Sequence, residues 1–209
     1  MTNPIGKLEA IAEQLHPYFA AEDEAREKAL RLCRRIVRCS ANAIRAVHRR
    51  EVASARELLA EAHRLIQELN CDLTKHGVLL YSGFVHDAQK EFTEGCITLA
   101  LIAEEDLPEP EILDVDYAAY LDGLGESVGE LRRYILDSLR RGDFTRCEDT
   151  LDIMDATYSM LMTMDFPGLL AHGLRRTTDA MRGIVERTRG DLTVALKQRE
   201  LEAKLANLS

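Results

Sequence analysis

Two pairs of glutamates have the spacing that places both carboxylates of a pair on one face of a helix. Glu91 and Glu94 are three residues apart, and Glu126 and Glu130 are four residues apart. If the two helices pack together, four carboxylates converge, and like charges at that density require a neutralising cation. Oxygen ligands favour Mg²⁺ or Mn²⁺, and such an ion can activate water for attack on a phosphodiester. Spacing alone leaves open the alternative that all four are surface acids.

Three glycines, at positions 123, 125 and 129, lie in the segment that carries the second glutamate pair. A glycine in a helix interior costs up to about 1 kcal/mol relative to alanine. Their presence therefore predicts that another helix or a substrate backbone approaches this segment closely.

Residues 31–50, RLCRRIVRCSANAIRAVHRR, contain seven arginines and no acid. At 100° per residue, six of the arginines fall within roughly 60° of one direction, and apolar residues occupy the opposite half. We call these six the arginine face: Arg31, Arg34, Arg35, Arg38, Arg45 and Arg49. No acid lies three or four residues away within the window, so pairing inside it cannot balance the charge. Because arginine clamps phosphate oxygens, the face predicts nucleic acid or another polyphosphate as partner, with acids of a neighbouring helix as the alternative.

The net charge of −9 is unevenly distributed along the 209 residues. The 31–50 window carries +7, so the rest of the chain carries −16, and residues 104–122 contain acids but no base. An acidic total would normally argue against a nucleic-acid partner, because phosphates repel acidic surfaces. This distribution instead predicts an acidic exterior and a basic lining that holds RNA.

Composition excludes several classes of protein. No stretch approaches 18 consecutive apolar residues, which excludes a membrane-spanning helix, and the first residues do not resemble a signal peptide. The five cysteines are widely spaced, without a C-x-x-C pair or zinc spacing, so we expect small buried thiols and a protein of the reducing cytoplasm.

The periodicity of apolar residues is helical almost throughout, and no strand or hairpin pattern appears. We predict a single all-α domain over residues 1–209, a bundle of about six to seven long helices in which short connections favour antiparallel neighbours. The predicted helices cover about 5–49 (with a break near His16 and Pro17), 52–69, 78–104, 116–140, 144–162 and 169–206. Prolines 108 and 110 mark one linker, and residues 165–168 form a predicted turn.

Two other classes of function remain alternatives at this point. A redox carboxylate bundle needs two Glu-x-x-His pairs, and only Glu13 and His16 fit that pattern, beside a proline. A purely structural helical scaffold is also compatible with the composition.

Three segments together resemble the translin superfamily, which comprises translin and its partner Trax. They are LLYSGFVHDAQKEFTEG at 79–95, DYAAYLDGLGESVGELRR at 116–133 and LRRGD at 139–143. The terminal segment RTRGDLTVALKQRELE at 187–202 is similar to archaeal members. The resemblance covers most of the chain, and the middle segments are its specific part.

The resemblance implies an all-α fold of about seven helices, a closed oligomer, expected to be a homo-octamer, and binding of RNA or single-stranded DNA. The Trax branch implies a Mg²⁺- or Mn²⁺-dependent endoribonuclease that cleaves RNA inside the oligomeric shell. The alternative is a non-catalytic shell that binds single-stranded RNA or DNA, as translin does.

The acidic residues of the Trax branch correspond to Glu91 and Glu94 in the first segment and to Glu126 and Glu130 in the second. These four are the predicted metal-binding and catalytic residues. Glu126 departs from the family pattern, which has aspartate there, and its extra methylene changes the reach of the carboxylate. Five members of the arginine face are the predicted nucleic-acid-binding residues: Arg34, Arg35, Arg38, Arg45 and Arg49. No aromatic residues are interleaved with them, so we expect backbone contacts rather than base stacking.

Overall fold

A computed structural model of the protein describes residues 4–164, 166 and 174–207, and the secondary structure in these ranges is entirely helical. The helices are α1 (Pro4–His48), α2 (Val52–Leu73), α3 (Gly77–Leu80), α4 (Gly83–Ala103), α5 (Pro110–Leu113), α6 (Tyr117–Arg140), α7 (Cys147–Met162) and α8 (Leu174–Ala206). The predicted all-α bundle is confirmed. Within the described ranges, no helix is both long and apolar enough to cross a bilayer.

The short helix α5 lies within the predicted proline linker, and several helix ends differ by a few residues from the sequence prediction. Two differences are larger. The helix predicted to begin at residue 78 is divided at Tyr81 and Ser82 into the single turn α3 and the longer α4. The predicted break at Pro17 is absent: α1 continues through it for 45 residues. Pro17 cannot donate to the Glu13 carbonyl, but this part of α1 is exposed, so water can satisfy that oxygen. The predicted turn at 165–168, apart from Phe166, and the start of the last helix lie outside the described residues.

Two apolar cores organise the helices into two halves. In the first, α1, α2 and α4 bury a cluster that includes Ile36, Ile66 and Phe92. In the second, α6, α7 and α8 bury a cluster that includes Leu131 and Met181. Helices α4 and α6 pack against each other where the two halves meet, and we call this contact the seam.

Helices joined by short connections run antiparallel, as predicted. Contacts of α1 with α2 join Arg35 to Glu61 and Lys28 to Asp72, so one residue number rises as the other falls. Across the seam, however, α4 and α6 run parallel. His86 contacts Asp122 and Lys90 contacts Glu126, each pair separated by 36 residues.

Glycines on α6 allow neighbouring helices to pack closely against it. A Cβ atom built on Gly123 would lie 2.6 Å from the Lys90 carbonyl oxygen, and one on Gly125 would lie 2.5 Å from Thr177 Cγ2. Both distances are too short for any other residue type without movement of a neighbour. A Cβ on Gly129 would meet nothing within 4 Å among the described atoms. The predicted close approach is therefore present at Gly123 and Gly125 and absent at Gly129.

Candidate metal centre and arginine cavity

Three of the four predicted carboxylates meet at the seam. Glu91 and Glu94 of α4 and Glu126 of α6 each offer one oxygen, and the three oxygens lie within 4.8 Å of one another. All three side chains are partly buried. We call this group the carboxylate cluster. The helical spacing brings the two α4 residues to one face, and the parallel register of α6 adds the third.

The carboxylate cluster is electrostatically unsatisfied within the described chain. Burial raises the pKa of Glu94 to about 8, with additional repulsion from Glu126, Glu91 and Glu130. Burial also raises the pKa of Glu91, although the neighbouring Lys90 acts in the opposite direction. Since removal from water and like charge both oppose ionisation, a bound cation would stabilise the ionised form of this cluster.

One cation of the chain already contacts the cluster. The Lys90 ammonium donates a hydrogen bond to Glu126 Oε1 over 2.8 Å. Burial opposes the charged form of Lys90, but the bond to Glu126 and nearby carboxylates outweigh it and raise its pKa. One turn earlier on both helices, His86 Nε2 lies 3.0 Å from Asp122 Oδ2, and this bond raises the pKa of His86 against the effect of burial.

Glu130, the fourth predicted carboxylate, lies outside the 4.8 Å group and has a different partner. Its Oε2 lies 2.5 Å from Nε2 of His48, a nearly buried side chain at the end of α1. Arg133 lies 3.6 Å from the same oxygen. The hydrogen bond to His48 and the nearby Arg133 guanidinium lower the pKa of Glu130 despite its burial. In this structure Glu130 therefore links α6 to α1 instead of joining the cluster.

The arginine face is exposed, and the apolar residues of the same window are largely buried, as the periodicity predicts. Some of the arginines have partners: Arg35 donates to Glu61 over 3.0 Å, Arg45 to Asn42 over 2.9 Å, and Arg49 to both oxygens of Glu51. Arg31 and Arg38 have neither a hydrogen-bond nor an ion-pair partner among the described residues. A neighbouring helix therefore balances only part of the charge.

Two members of the arginine face open on a cavity of about 710 Å³ between α1 and α6, which we call the arginine cavity. Its basic lining consists of Arg45, His48, Arg49, Arg132, Arg133 and Arg140. Gly129 also lines it, and the absence of a side chain there enlarges the space. Because Arg133 contacts Glu130 and Glu130 repels Glu94, the arginine cavity adjoins the carboxylate cluster.

Sequence reasoning missed Lys90, His48 and the three α6 arginines of this cavity. The arginines do carry a signal: at 100° per residue, Arg132, Arg133 and Arg140 all lie within about 100° on one face of the helix. Their proximity to Arg45 and Arg49 depends on the packing of α6 against the end of α1.

A second cavity, of about 450 Å³, lies between the cluster and α8 and is lined in part by Glu94, Glu126 and Arg176. The cluster is thus accessible from the side of α8. Glu13 and His16, the residues that could have contributed to a redox bundle, lie on the exposed first half of α1.

No protein-family model matches the chain. An uncharacterized protein of Methanocaldococcus jannaschii, MJ0175, is 30% identical over 190 residues, which cover 90% of this chain and 84% of the relative.

Among solved structures, AfC3PO is 31% identical with a TM-score of 0.79, and the match covers 92% of this chain and 98% of that one. AfC3PO in complex with duplex RNA is 33% identical, with the same TM-score and coverage. Apo-NeC3PO has a TM-score of 0.79 at 20% identity, covering 88% of this chain and 96% of that one, and shows the fold alone.

Proposed function

The chain belongs to the translin superfamily, and from this premise we propose that it is a divalent-metal-dependent endoribonuclease. The observation that carries the proposal is the convergence of Glu91, Glu94 and Glu126 at the seam. A fold that positions three half-buried carboxylates together at a cost in charge repulsion is suited to hold a cation there.

The residues present fit Mg²⁺ or Mn²⁺. The donor set consists of carboxylate oxygens, which are the hard ligands that these ions prefer. Burial and the neighbouring carboxylates raise the pKa of Glu94, and a bound cation would favour its ionised form. Glu91, Glu94 and Glu126 would hold the ion. When bound, it would supply Lewis-acid activation of water and of the phosphodiester.

The arginine cavity supports a path for the RNA backbone beside this centre. Arg45 and Arg49 from α1 and Arg132 and Arg133 from α6 present planar guanidinium groups to one space. Such groups grip phosphate oxygens and fix the position of a strand without reading its sequence. The complex of AfC3PO with duplex RNA supports RNA as the ligand class, since that protein shares a third of its residues with this chain over the aligned region.

Self-association into a closed shell, with a homo-octamer as the expected form, is the second part of the proposal. The first half of α1 exposes apolar side chains at helical spacing: Leu8, Ile11, Leu15, Tyr18 and Phe19. Most helix stability in proteins comes from packing of an apolar face, and this face is uncovered in one chain, so a second copy of the chain is the expected cover. Native mass spectrometry of the wild type and of Leu8→Glu/Leu15→Glu tests this, and an octamer that survives the substitutions contradicts the assignment of this surface.

RNA cleavage in the presence of Mg²⁺ tests the catalytic proposal. We expect the wild type to cleave RNA and Glu91→Ala/Glu94→Ala to lose cleavage. Glu186→Ala/Glu200→Ala, which removes two exposed glutamates of α8, is the matched control and retains it. Equal cleavage by the wild type and the Glu91→Ala/Glu94→Ala variant contradicts the assignment.

A non-catalytic shell that binds single-stranded RNA or DNA is the second candidate. The observation that favours it is the Lys90 ammonium on Glu126, which already neutralises part of the cluster. This candidate predicts salt-sensitive binding, weakened by Arg34→Ala/Arg38→Ala, together with the absence of metal-dependent cleavage.

A further inference from the structure

Lys90 lies at the proposed metal centre, although its position in the sequence does not indicate any role there. Among the described residues it is the one cation hydrogen-bonded to a member of the carboxylate cluster, through Nζ and Glu126 Oε1 at 2.8 Å. Only 19% of its side chain is exposed, compared with 34% for Glu126. The ammonium is therefore held within the seam, whereas most lysines on a helix surface extend into water.

The packing of the two helices fixes this position. The Lys90 backbone carbonyl lies against Gly123, so near that a Cβ atom there would be 2.6 Å from its oxygen. One turn away, His86 and Asp122 form an equivalent contact across the same seam. Because the helices are parallel, the offset of 36 residues that joins His86 to Asp122 also joins Lys90 to Glu126.

We propose that Lys90 is a resident counter-ion of the carboxylate cluster, and that it competes with the divalent cation for Glu126. This inference rests on the proposed metal centre and concerns how that centre is loaded. Without a metal, the ammonium offsets the negative charge of Glu126 and stabilises the packing of α4 against α6. A divalent cation has to take Glu126 from Lys90 and bind beside a positive charge, so Lys90 lowers the metal affinity of the cluster.

The competition has a consequence for metal-free protein. Without Lys90, Glu126 would have no counter-ion at the contact between α4 and α6 until metal is bound. With Lys90 in place, the seam keeps one ion pair in the absence of metal, at the cost of a lower metal affinity. Removing the ammonium should therefore tighten metal binding and weaken the metal-free fold.

Isothermal titration of metal-free protein with Mn²⁺ at pH 7.5 tests this directly. We expect Lys90→Gln to bind Mn²⁺ about tenfold more tightly than the wild type, because the competing charge is gone. Lys90→Arg, which keeps the charge, should stay within about threefold of the wild type. Lys197→Gln is the matched control, since Lys197 pairs with the exposed Glu200 on α8. Lys90→Met offers a second neutral variant that retains the aliphatic contacts if the glutamine variant folds poorly.

The outcomes separate this inference from the proposed function. Tighter Mn²⁺ binding by Lys90→Gln or Lys90→Met, with a lower melting temperature in EDTA that Mn²⁺ restores, supports the counter-ion. Mn²⁺ binding that is unchanged or weaker in both neutral variants overturns the counter-ion role and leaves the metal centre intact. A wild type that binds no Mn²⁺, together with neutral variants that bind none, overturns the metal centre and this inference with it.

Discussion

The carboxylate cluster and the arginine face are both groups of like charge, and the structure treats them differently. The arginines lie on an exposed helix surface, where water solvates each guanidinium, and several have a single acidic or amide partner of their own. The three carboxylates are partly buried between two helices and share one ammonium. The arginine face has more like charges in a short stretch of sequence, but in the structure its charges repel one another less than those of the carboxylate cluster.

The difference teaches that desolvation, and not local charge density, distinguishes a binding site for an ion from a surface that attracts a polyanion. Exposed charges repel weakly because water and salt screen them. Half-buried charges lose hydration and also retain their mutual repulsion, and the two effects, burial foremost, raise the pKa of Glu94 to about 8. This contrast supports the proposal of a small cation as the ligand of the cluster and of a polyanion as the ligand of the arginine face.

The largest expected effect distinguishes carboxylates within the seam from the one beside it. We expect Glu91→Gln to weaken Mn²⁺ binding about 100-fold, because it removes one of three converging oxygens. Glu130→Gln, of the same chemistry, should change the affinity less than about threefold, since His48 holds that side chain. Calorimetric titration of both variants measures the ratio. Equal losses would show that Glu130 moves into the cluster when metal binds.

The second prediction concerns the pH dependence of the metal-free fold. The unfolded chain ionises Glu94 near its ordinary pKa of 4.5, whereas the folded chain does so at about 8. The folded state therefore holds more protons between these values, and this group lowers the free energy of unfolding as the pH rises through that range. In EDTA at pH 8.5, we expect Glu94→Gln to be more stable than the wild type by about 2 kcal/mol.

At pH 4.5 the same two proteins should differ by much less, since Glu94 is protonated in the folded state. Urea unfolding at both pH values measures the difference. Exposed Glu57 on α2 provides the control, and the effect of Glu57→Gln on the free energy of unfolding should not change in this way with pH. A stability difference for Glu94→Gln that does not depend on pH would contradict the electrostatic account of the cluster.

Much of this comparison could be predicted from the sequence, because it depends on periodicity within single helices. The spacing of Glu91 and Glu94 and the separation of arginines from apolar residues follow from 100° per residue. The resemblance to the translin superfamily, carried by residues 79–95 and 116–133, supplied the fold, which the structure confirms.

What could not be predicted depends on contacts between distant segments. The parallel packing of α4 and α6 requires the path of residues 104–116, where α5 is a single turn, and periodicity does not describe that path. Glu130 pairs with His48, 82 residues away, and no spacing rule indicates that partner. Lys90 is near Glu126 only because the seam is parallel with one fixed offset.

The third prediction tests the arginine face as a surface for a polyanion. Arg34→Ala/Arg38→Ala should weaken RNA binding about tenfold and lower the slope of log affinity against log salt by about 1.5, for two lost phosphate contacts. The matched control is Arg64→Ala/Arg187→Ala, which removes two exposed arginines from α2 and α8. Filter binding over a range of salt measures both quantities. Equal losses in both double variants would mean that the arginine face contributes to RNA binding no more than any other exposed arginines do.

The smallest expected effect tests whether the seam needs its glycine. In Gly123→Ala the new methyl would lie 2.6 Å from the Lys90 carbonyl and 2.7 Å from Thr93 Cβ, so the two helices have to separate. The better helix propensity of alanine offsets part of that cost, and we expect a net loss of about 1 kcal/mol in the free energy of unfolding.

Gly129→Ala is the matched control on the same helix, because its methyl would meet nothing within 4 Å of the described structure. Alanine there should stabilise the protein by about 0.5 kcal/mol through helix propensity alone. Thermal unfolding of the two variants gives the sign of each change. Separation of α4 from α6 would also move Glu126 away from Glu91 and Glu94, so Gly123→Ala should bind Mn²⁺ more weakly while Gly129→Ala binds it as the wild type does. Stability loss without weaker binding would mean that the three carboxylates converge independently of the tight contact at Gly123.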